Sequence, residues 1–468
     1  MAKQISQKTF DDVVRENMAE FDMDANEALQ DAIQQFESQG VNLNIIVKDA
    51  SLYAISEDGE VQHHPVVAAI NKLSLALDNS SAASEDINDI LKTIQNECDG
   101  DPARRNLAAT NGAYPILFKA LSCYKDVPEN LNSVLKSFCA LVDGQPDLID
   151  ASGIELLISL LKTYQNTPDT LELVIQAIRL NCIMHERNRL QFVNLNLIII
   201  LTEMLTMHRL NTTIIKEICI CLRALTLDDD VRVPFGRATE NAKTMVTEGD
   251  ALKLIMQLCE EHRNDTSVLA ELFLTLSCLA VRDEFCQEVM DRGGVCLIIS
   301  ACQSAVDDKA VVRQALLVLK ALAGNDEVKH EIARLGGIEL VVAAMNKYQN
   351  NAQVSSAACK VLTNITLRNT DNCYKVVECQ GHEQIIQVMK IHPTVDKVQQ
   401  NACMALRNLV SRAKELSECI LALGAESLLN DIMKYHKDVA DEAKAALRDL
   451  GCKVELRELW KGERGTIQ

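Results

Sequence analysis

Between Lys309 and Tyr348 the apolar residues fall at helical steps. Val312, Ala315, Leu316, Leu319 and Leu322 recur at intervals of three and four, which predicts a long helix. Gly324-Asn325 ends it, and Val328, Ile332 and Leu335 then share one face of a short helix. Gly336-Gly337 forces a sharp turn, because glycine enters positive φ at little steric cost. A further helix starts at Ile338 and carries Leu340, Val341, Ala344 and Met345. Long helix, short helix, double glycine, long helix: this order recurs along most of the chain and predicts a repeat array.

The register is regular. Aligning the residue before the first apolar position of each second helix gives Gly112, Gly153, Asn196, Asp250, Gly294, Gly337, Gly381 and Ala425. Six of the seven steps are 41 to 44 residues, the period of a two- or three-helix solenoid, and one is 54. The third helices align equally well at Ala315–Leu322, Ala358–Ile365, Ala402–Leu409 and Ala443–Leu450. A small residue opens each segment and lets neighbouring helices approach; leucine or isoleucine at its fifth and eighth positions fills the layer.

The ends depart from this pattern. Residues 1–60 predict a helical hairpin and a loop. Phe10, Val14 and Phe21 lie on the first helix; Asp24 caps the second, whose face carries Leu29, Ile33 and Phe36, and Gly40 stops it. The first repeat is the expected partner for the hairpin's apolar face, and the hairpin reads either as the cap of the array or as a separate docking module. Residues 61–110 read as a degenerate first repeat, with helices over Pro65–Leu77, Ser84–Cys98 and Ala103–Ala109. The array runs over 111–452 and a tail over 453–468, where the single tryptophan, Trp460, is expected to pack on the last repeat. The long step places an inserted loop at 228–247.

Composition supports thin helical layers. Hydrophobic residues make up 48% of the 468, aromatics only 4%. The formal charge of −19 disfavours nucleic acid and anionic membrane as partners. No apolar run has membrane length. Seventeen cysteines, scattered singly on apolar faces, read as reduced thiols of a monomeric cytoplasmic or nuclear protein.

The Gly-Gly-Ile-Glu-Leu-Val turn at 336–341 and the Ala-Cys-Met-Ala-Leu-Arg-Asn-Leu helix at 402–409 resemble the armadillo repeat family, over about residues 100–452. The resemblance implies an all-α, right-handed α-α superhelix with an N-terminal helical cap, whose third helices line a concave groove for extended peptides. It also implies a column of Trp and, four residues on, a column of Asn that clamp peptide backbone. Here the first column holds no Trp, and the second keeps only Asn364 and Asn408. That argues against a receptor for basic import signals.

The adjacent column is basic at five of eight positions: Arg179, Arg223, Lys320, Arg407 and Arg448. Rungs about 10 Å apart would suit acids spaced about three residues along an extended segment, which advances about 3.3 Å per residue. Two readings stay open: an acidic or phosphorylated partner lies there, or each base pairs with an acid of the next repeat. In the insertion, Asp228, Asp229, Asp230, Arg232 and Phe235 are candidates for a partner contact. Consecutive acids point in different directions and lack the alternate spacing of a calcium loop, so no metal is expected.

Catalytic motifs are missing. There is no phosphate-binding GxxxxGK[ST] and no GxSxG. His185-Glu186 and His382-Glu383 open HExxH patterns, but Arg189 and Ile386 stand where the second histidine would be. His63-His64 before Pro65 reads as an exposed helix cap. The expectation is a protein-binding scaffold or, failing that, a regulator or chaperone of one folded client; no enzyme activity and no cofactor are expected.

Overall fold

The structure, a computed structural model, describes residues 3–53, 64–78 and 84–454. Among the described residues are 27 α-helices and no strand; Lys3 and Val41 form one isolated bridge. The chain divides into two compact units, Met1–Thr244 and Met245–Gln468.

The first unit opens on α1 (Gln7–Phe21) and α2 (Ala25–Ser38). Asp24 caps α2 by accepting from the amides of Asn26 and Glu27, and Gly40 follows the helix at φ 72°. The hairpin closes its own core. Phe10 and Phe36 meet at 5.8 Å between centroids, and Val41, Leu43, Ile46 and Tyr53 complete the cluster. The segment after the hairpin thus takes the place expected for the first repeat. Gln7 fixes that segment by exchanging two hydrogen bonds with the backbone of Val47.

Layers follow. α3 (Pro65–Asp78) and α4 (Ser84–Cys98) form an incomplete one; the side chain of Ser84, where the second of these helices was expected to begin, lies outside the described residues, as do His63, the end of the predicted loop at 54–60 and Trp460. α5 (Pro102–Thr110), α6 (Ala113–Tyr124) and α7 (Pro128–Val142) make the first full layer. A 3-10 turn at Pro146–Leu148 replaces the short helix of the next, before α8 (Ala151–Thr163) and α9 (Pro168–Cys182). α10 (Glu186–Asn194), α11 (Leu197–Met207) and α12 (Thr212–Ala224) follow. Next comes α13 (Ala238–Thr247), so the insertion is a loop only over 228–237; its second half is the short helix of a normal repeat.

The second unit continues with α14 (Ala251–Glu261) and α15 (Thr266–Leu279), then α16 (Asp283–Asp291), α17 (Gly294–Ser304) and α18 (Lys309–Leu322). α19 (Asp326–Arg334), α20 (Gly337–Lys347) and α21 (Ala352–Thr366) form the layer from which the period was read. α22 (Thr370–Glu378), α23 (Gly381–Ile391) and α24 (Asp396–Ser411) repeat it, and α25 (Ser417–Ala422), α26 (Ala425–Tyr435) and α27 (Ala440–Leu450) end the array.

The double glycine divides two tasks. Gly336 adopts φ 83° at the entry of α20. Gly337 is helical, but a Cβ there would lie 2.8 Å from the Ile332 carbonyl oxygen, so only glycine lets α19 and α20 approach this closely. Where the first task falls to Asn196, Asp250 or Gln380, the backbone still takes positive φ.

Within each unit, third helices stack directly on one another. Ala315, Ala358, Ala402 and Ala443 are fully buried at the contacts, and Leu319, Leu362, Leu406 and Leu447 fill them. Each buried leucine contributes about 1.5–3 kcal/mol. A second ladder binds the layers through residues that end the second helices. Within the first unit, the Tyr164 hydroxyl donates to the Lys125 carbonyl at 2.6 Å, and His208 Nε2 to that of Gln165 at 2.6 Å. Within the second, Tyr348 reaches Val306 at 2.8 Å, His392 reaches Gln349 at 2.8 Å and His436 reaches Pro393 at 2.6 Å. Ala305 has no ring to offer; there the Thr266 hydroxyl bonds to Asp308, the residue that caps α18.

Candidate protein interaction surfaces

The 228–237 loop is held by charge. Asp229 and Asp230 cap α10 from outside: Asp229 accepts from the Met184 amide at 3.0 Å and Asp230 from the Glu186 amide at 2.9 Å. Unpaired amides at a helix start, reinforced by the macrodipole, favour carboxylates there. Arg189, only 1% exposed, sits beneath them. It donates to Asp229 at 2.6 Å, to Glu186 at 2.7 Å and to the Cys182 carbonyl at 2.9 Å. Burial works against its charge, but the bonds to Asp229 and Glu186 outweigh that and raise its pKa. Arg232 grips Asp230 at 2.8 Å and Asp147 at 2.8 Å. Its bond and that of the Glu186 amide hold the Asp230 carboxyl well below the usual range.

The failed HExxH motif finds its use here. His185 Nδ1 accepts from the Asn188 amide, which fixes the proton on Nε2, facing Asp147 at 2.9 Å. Glu186 binds both Arg189 and the amide of Arg237. Sequence reading passed over Glu186 and Arg189 as a metal site that lacked a ligand; their three-residue spacing before an acid-rich insertion was the available signal. Asp228 faces Gly236, where a Cβ would meet its carboxylate at 2.7 Å. Asp229 and Asp230 are therefore spent on the protein itself. Beside its exposed charges the loop presents two apolar side chains outward: Val231 is 89% exposed and Phe235 92%. Beside it lies a cavity of about 300 Å³ between Pro146, Leu180, Ile183, Met184 and Val231.

The basic column divides. In the first unit, Arg179 Nε lies 3.5 Å from Glu217 on α12, and both side chains are mostly buried. Arg223, half-buried, is also engaged. In the second unit, Arg407 and Arg448 share Asp449, each at 3.0 Å. Burial of Asp449 favours its neutral form, but the two guanidiniums prevail and lower its pKa. Asn364 and Asn408 bridge neighbouring third helices, donating to the carbonyls of Lys320 and Thr363 at 2.9 Å. Of the two readings open for the column, pairing with an acid of the next repeat holds for Arg179 and Arg407, while Arg448 pairs within its own helix.

Other cations stay open. Lys320 on α18, Lys360 on α21 and Lys397 on α24 have no carboxylate within 4.0 Å among the described residues, and neither does Arg313, two turns before Lys320 on the same face. Burial lowers the Lys360 pKa, and the charges of Lys320 and Lys397 lower it further. Leu317 on α18 is half-buried and Met404 on α24 is exposed.

His64 is buried, not exposed as expected. Its Nδ1 accepts from the Val66 amide, and its Nε2 lies 3.8 Å from Glu97. Among the described residues no group of three potential metal ligands occurs. No single helix there is long and apolar enough to cross a membrane.

Known proteins match the whole chain. The ARMC6 family model covers residues 68–468, and that of the armadillo repeat-containing protein 6 N-terminal domain covers residues 2–64. The chain belongs to the armadillo repeat-containing protein 6 family. Human armadillo repeat-containing protein 6 is 41% identical over 518 aligned residues, spanning 100% of this chain and 94% of the human one. The Drosophila melanogaster homolog is 35% identical over 99% of this chain and 98% of its own. The fold also matches the crystal structure of an engineered protein at a TM-score of 0.66 and 19% identity, over 96% of this chain and 99% of that one. An armadillo solenoid is thereby established, and the hairpin's own core, Phe10 to Tyr53, lies wholly within the N-terminal family region.

Proposed function

We propose that this member of the armadillo repeat-containing protein 6 family is a non-enzymatic scaffold that holds a partner polypeptide on its third helices. The carrying observation is the set of open cations on α18, α21 and α24, in a chain of 66 acids and 47 bases. A protein with surplus acid can pair every base internally, as it does at Arg179 and Arg407. Cations left without acids on one face favour an acidic or phosphorylated segment as the partner. Seventeen free cysteines suit the reducing cytoplasm or nucleus.

The paired bases decide the experiment. Charge reversal at Arg179 would set two acids together in a mostly buried site and lower stability, so lost binding would be ambiguous. Reversal of Lys320 and Lys397 avoids this. Partner capture by that double variant is expected to fall at least tenfold, with thermal unfolding nearly unchanged; undiminished capture would refute the assignment.

A second reading, a regulator or chaperone of one folded client, draws support from Val231 and Phe235, presented outward by a clamped loop. Under that reading Phe235→Ala removes capture and the lysine variants do not.

A further inference from the structure

The one insertion in the array walls a groove within the first unit. Val231, almost fully exposed, lines a cavity of about 300 Å³ together with Leu180, Ile183 and Met184. Both chain neighbours of Val231 are pinned: Asp230 accepts from the Glu186 amide at 2.9 Å, and Arg232 donates to Asp147 at 2.8 Å. The valine therefore stands in water on a backbone already ordered, and a ligand that covers it meets little of the cost of ordering a loop. A second cleft of about 270 Å³ lies over Ala140 of α7 and Gln176 of α9, and it shares Asp143 and Leu180 with the first. The two make one groove that runs from the third helices to the insertion. Among the described residues, five carboxylates line it, at Asp99, Asp143, Asp147, Asp229 and Asp230, against the cations Lys136 and Arg232. With the ion-pair partners beneath, Glu186, Arg105 and Arg189, there are six acids to four bases. Burial decides which of these a ligand meets: the side chains of Asp143 and Asp147 are more than half exposed, whereas those of Arg105 and Arg189 are buried. α7 and α9 also end at this groove, and each helix C-terminus carries about half a negative charge.

We propose that this groove docks an extended segment of a partner in which an apolar residue such as leucine is flanked by lysine or arginine. The apolar side chain sits against Val231 and Leu180, and the cation sits against Asp99 and Asp143. Complementary charge selects the partner: an acidic segment would meet like charge here, and a segment of bases alone would leave Val231 and Met184 in water. The groove lies in the first unit, apart from the cations on α18, α21 and α24, so it is a second binding surface and does not depend on them.

The test uses the full chain, immobilised, and three pools of short synthetic peptides with random outer residues: leucine between lysines, leucine between glutamates, and serine between lysines. The leucine–lysine pool is expected to be retained at least tenfold over each of the others. Val231→Ser should lower that retention about tenfold, the scale of one buried aliphatic side chain. Asp99→Asn should lower it about threefold, the scale of one exposed ion pair. Both positions are exposed, so neither change disturbs packing. Glu37→Gln removes an exposed acid of α2 outside the groove and should leave retention unchanged. The double variant Lys320→Glu, Lys397→Glu should also leave it unchanged, which keeps this test separate from that of the scaffold reading. Equal retention of either other pool, or of none, would overturn the proposal. So would a loss with Glu37→Gln as large as that with Asp99→Asn, because net charge alone would then account for the attraction.

Discussion

The guanidinium of Arg189 donates to Asp229 at 2.6 Å across forty residues of chain, from a side chain that is 1% exposed. This bond ties the one irregular loop to the short helix of the preceding repeat. Removing one member of a buried pair leaves the other charge uncompensated and costs about 3–5 kcal/mol. Arg189→Ala should therefore lower the unfolding midpoint of the first unit markedly. Differential scanning calorimetry checks this; a loss under about 0.5 kcal/mol, the range of ordinary surface changes, would show that the network does not hold the loop.

The two glycines at the entry of α20 should respond differently. Alanine at Gly336 meets only backbone strain, since no heavy atom comes nearer than Glu339 at 4.0 Å, and should cost about 1–2 kcal/mol. Alanine at Gly337 must displace Ile332 as well and should cost about 1–3 kcal/mol. Adding Ile332→Ala should recover part of the steric loss at Gly337 and none at Gly336. A denaturant double-mutant cycle reads this directly.

Acid should weaken the fold in two stages. Burial lowers the pKa of His64 and of His382 below 6.5. Between the native values and 6.5 the unfolded side chains bind more protons, so stability rises with pH across that window. It is fully present above 6.5 and lost as pH falls through the window. Asp147 and Asp308 are held below 3.8 by hydrogen bonds from Arg232 and Thr266, so their contribution is lost only at lower pH. Denaturation midpoints at pH 8, 7, 6 and 5 should fall below pH 6.5. The double variant His64→Asn, His382→Asn should flatten that first decline, the asparagine at 64 remaining able to cap α3.

Thiol chemistry should report burial. Desolvation pushes Cys139, Cys302 and Cys359 up to about 12, so little thiolate forms there at pH 8. Cys123 and Cys296 are exposed. Alkylation of the native protein, followed by mass spectrometry, should label these two first; early labelling of Cys359 would contradict its place between α21 and α24.

Much of the fold was legible because repetition averages out local ambiguity. The step from Gly337 to Gly381 fixed helix order, and Leu319, Leu362 and Leu406 fixed the buried faces. Single contacts were less legible. Arg179 and Glu217 pair across 38 residues of sequence, and no one-chain pattern distinguishes that pair from a free base. His64 looked exposed because nothing near it in sequence announces Glu97 or the burial of its ring. The ladder of Tyr164, His208, Tyr348, His392 and His436 was readable in principle, as a ring-bearing donor recurring at the end of five second helices. It escaped notice because tyrosine and histidine alternate, and only their shared ability to donate a hydrogen bond unites them.

The central claim is that a polypeptide lies on the third helices. A photoreactive amino acid placed at Met404, 38% exposed on α24, tests it, with Glu383 on the second helix α23 as the control position. Mass spectrometry of the cross-linked products should find a partner joined at Met404, through residues contiguous in the partner's own sequence, and none at Glu383. Cross-links confined to Glu383, or scattered over distant parts of one folded partner, would contradict the account.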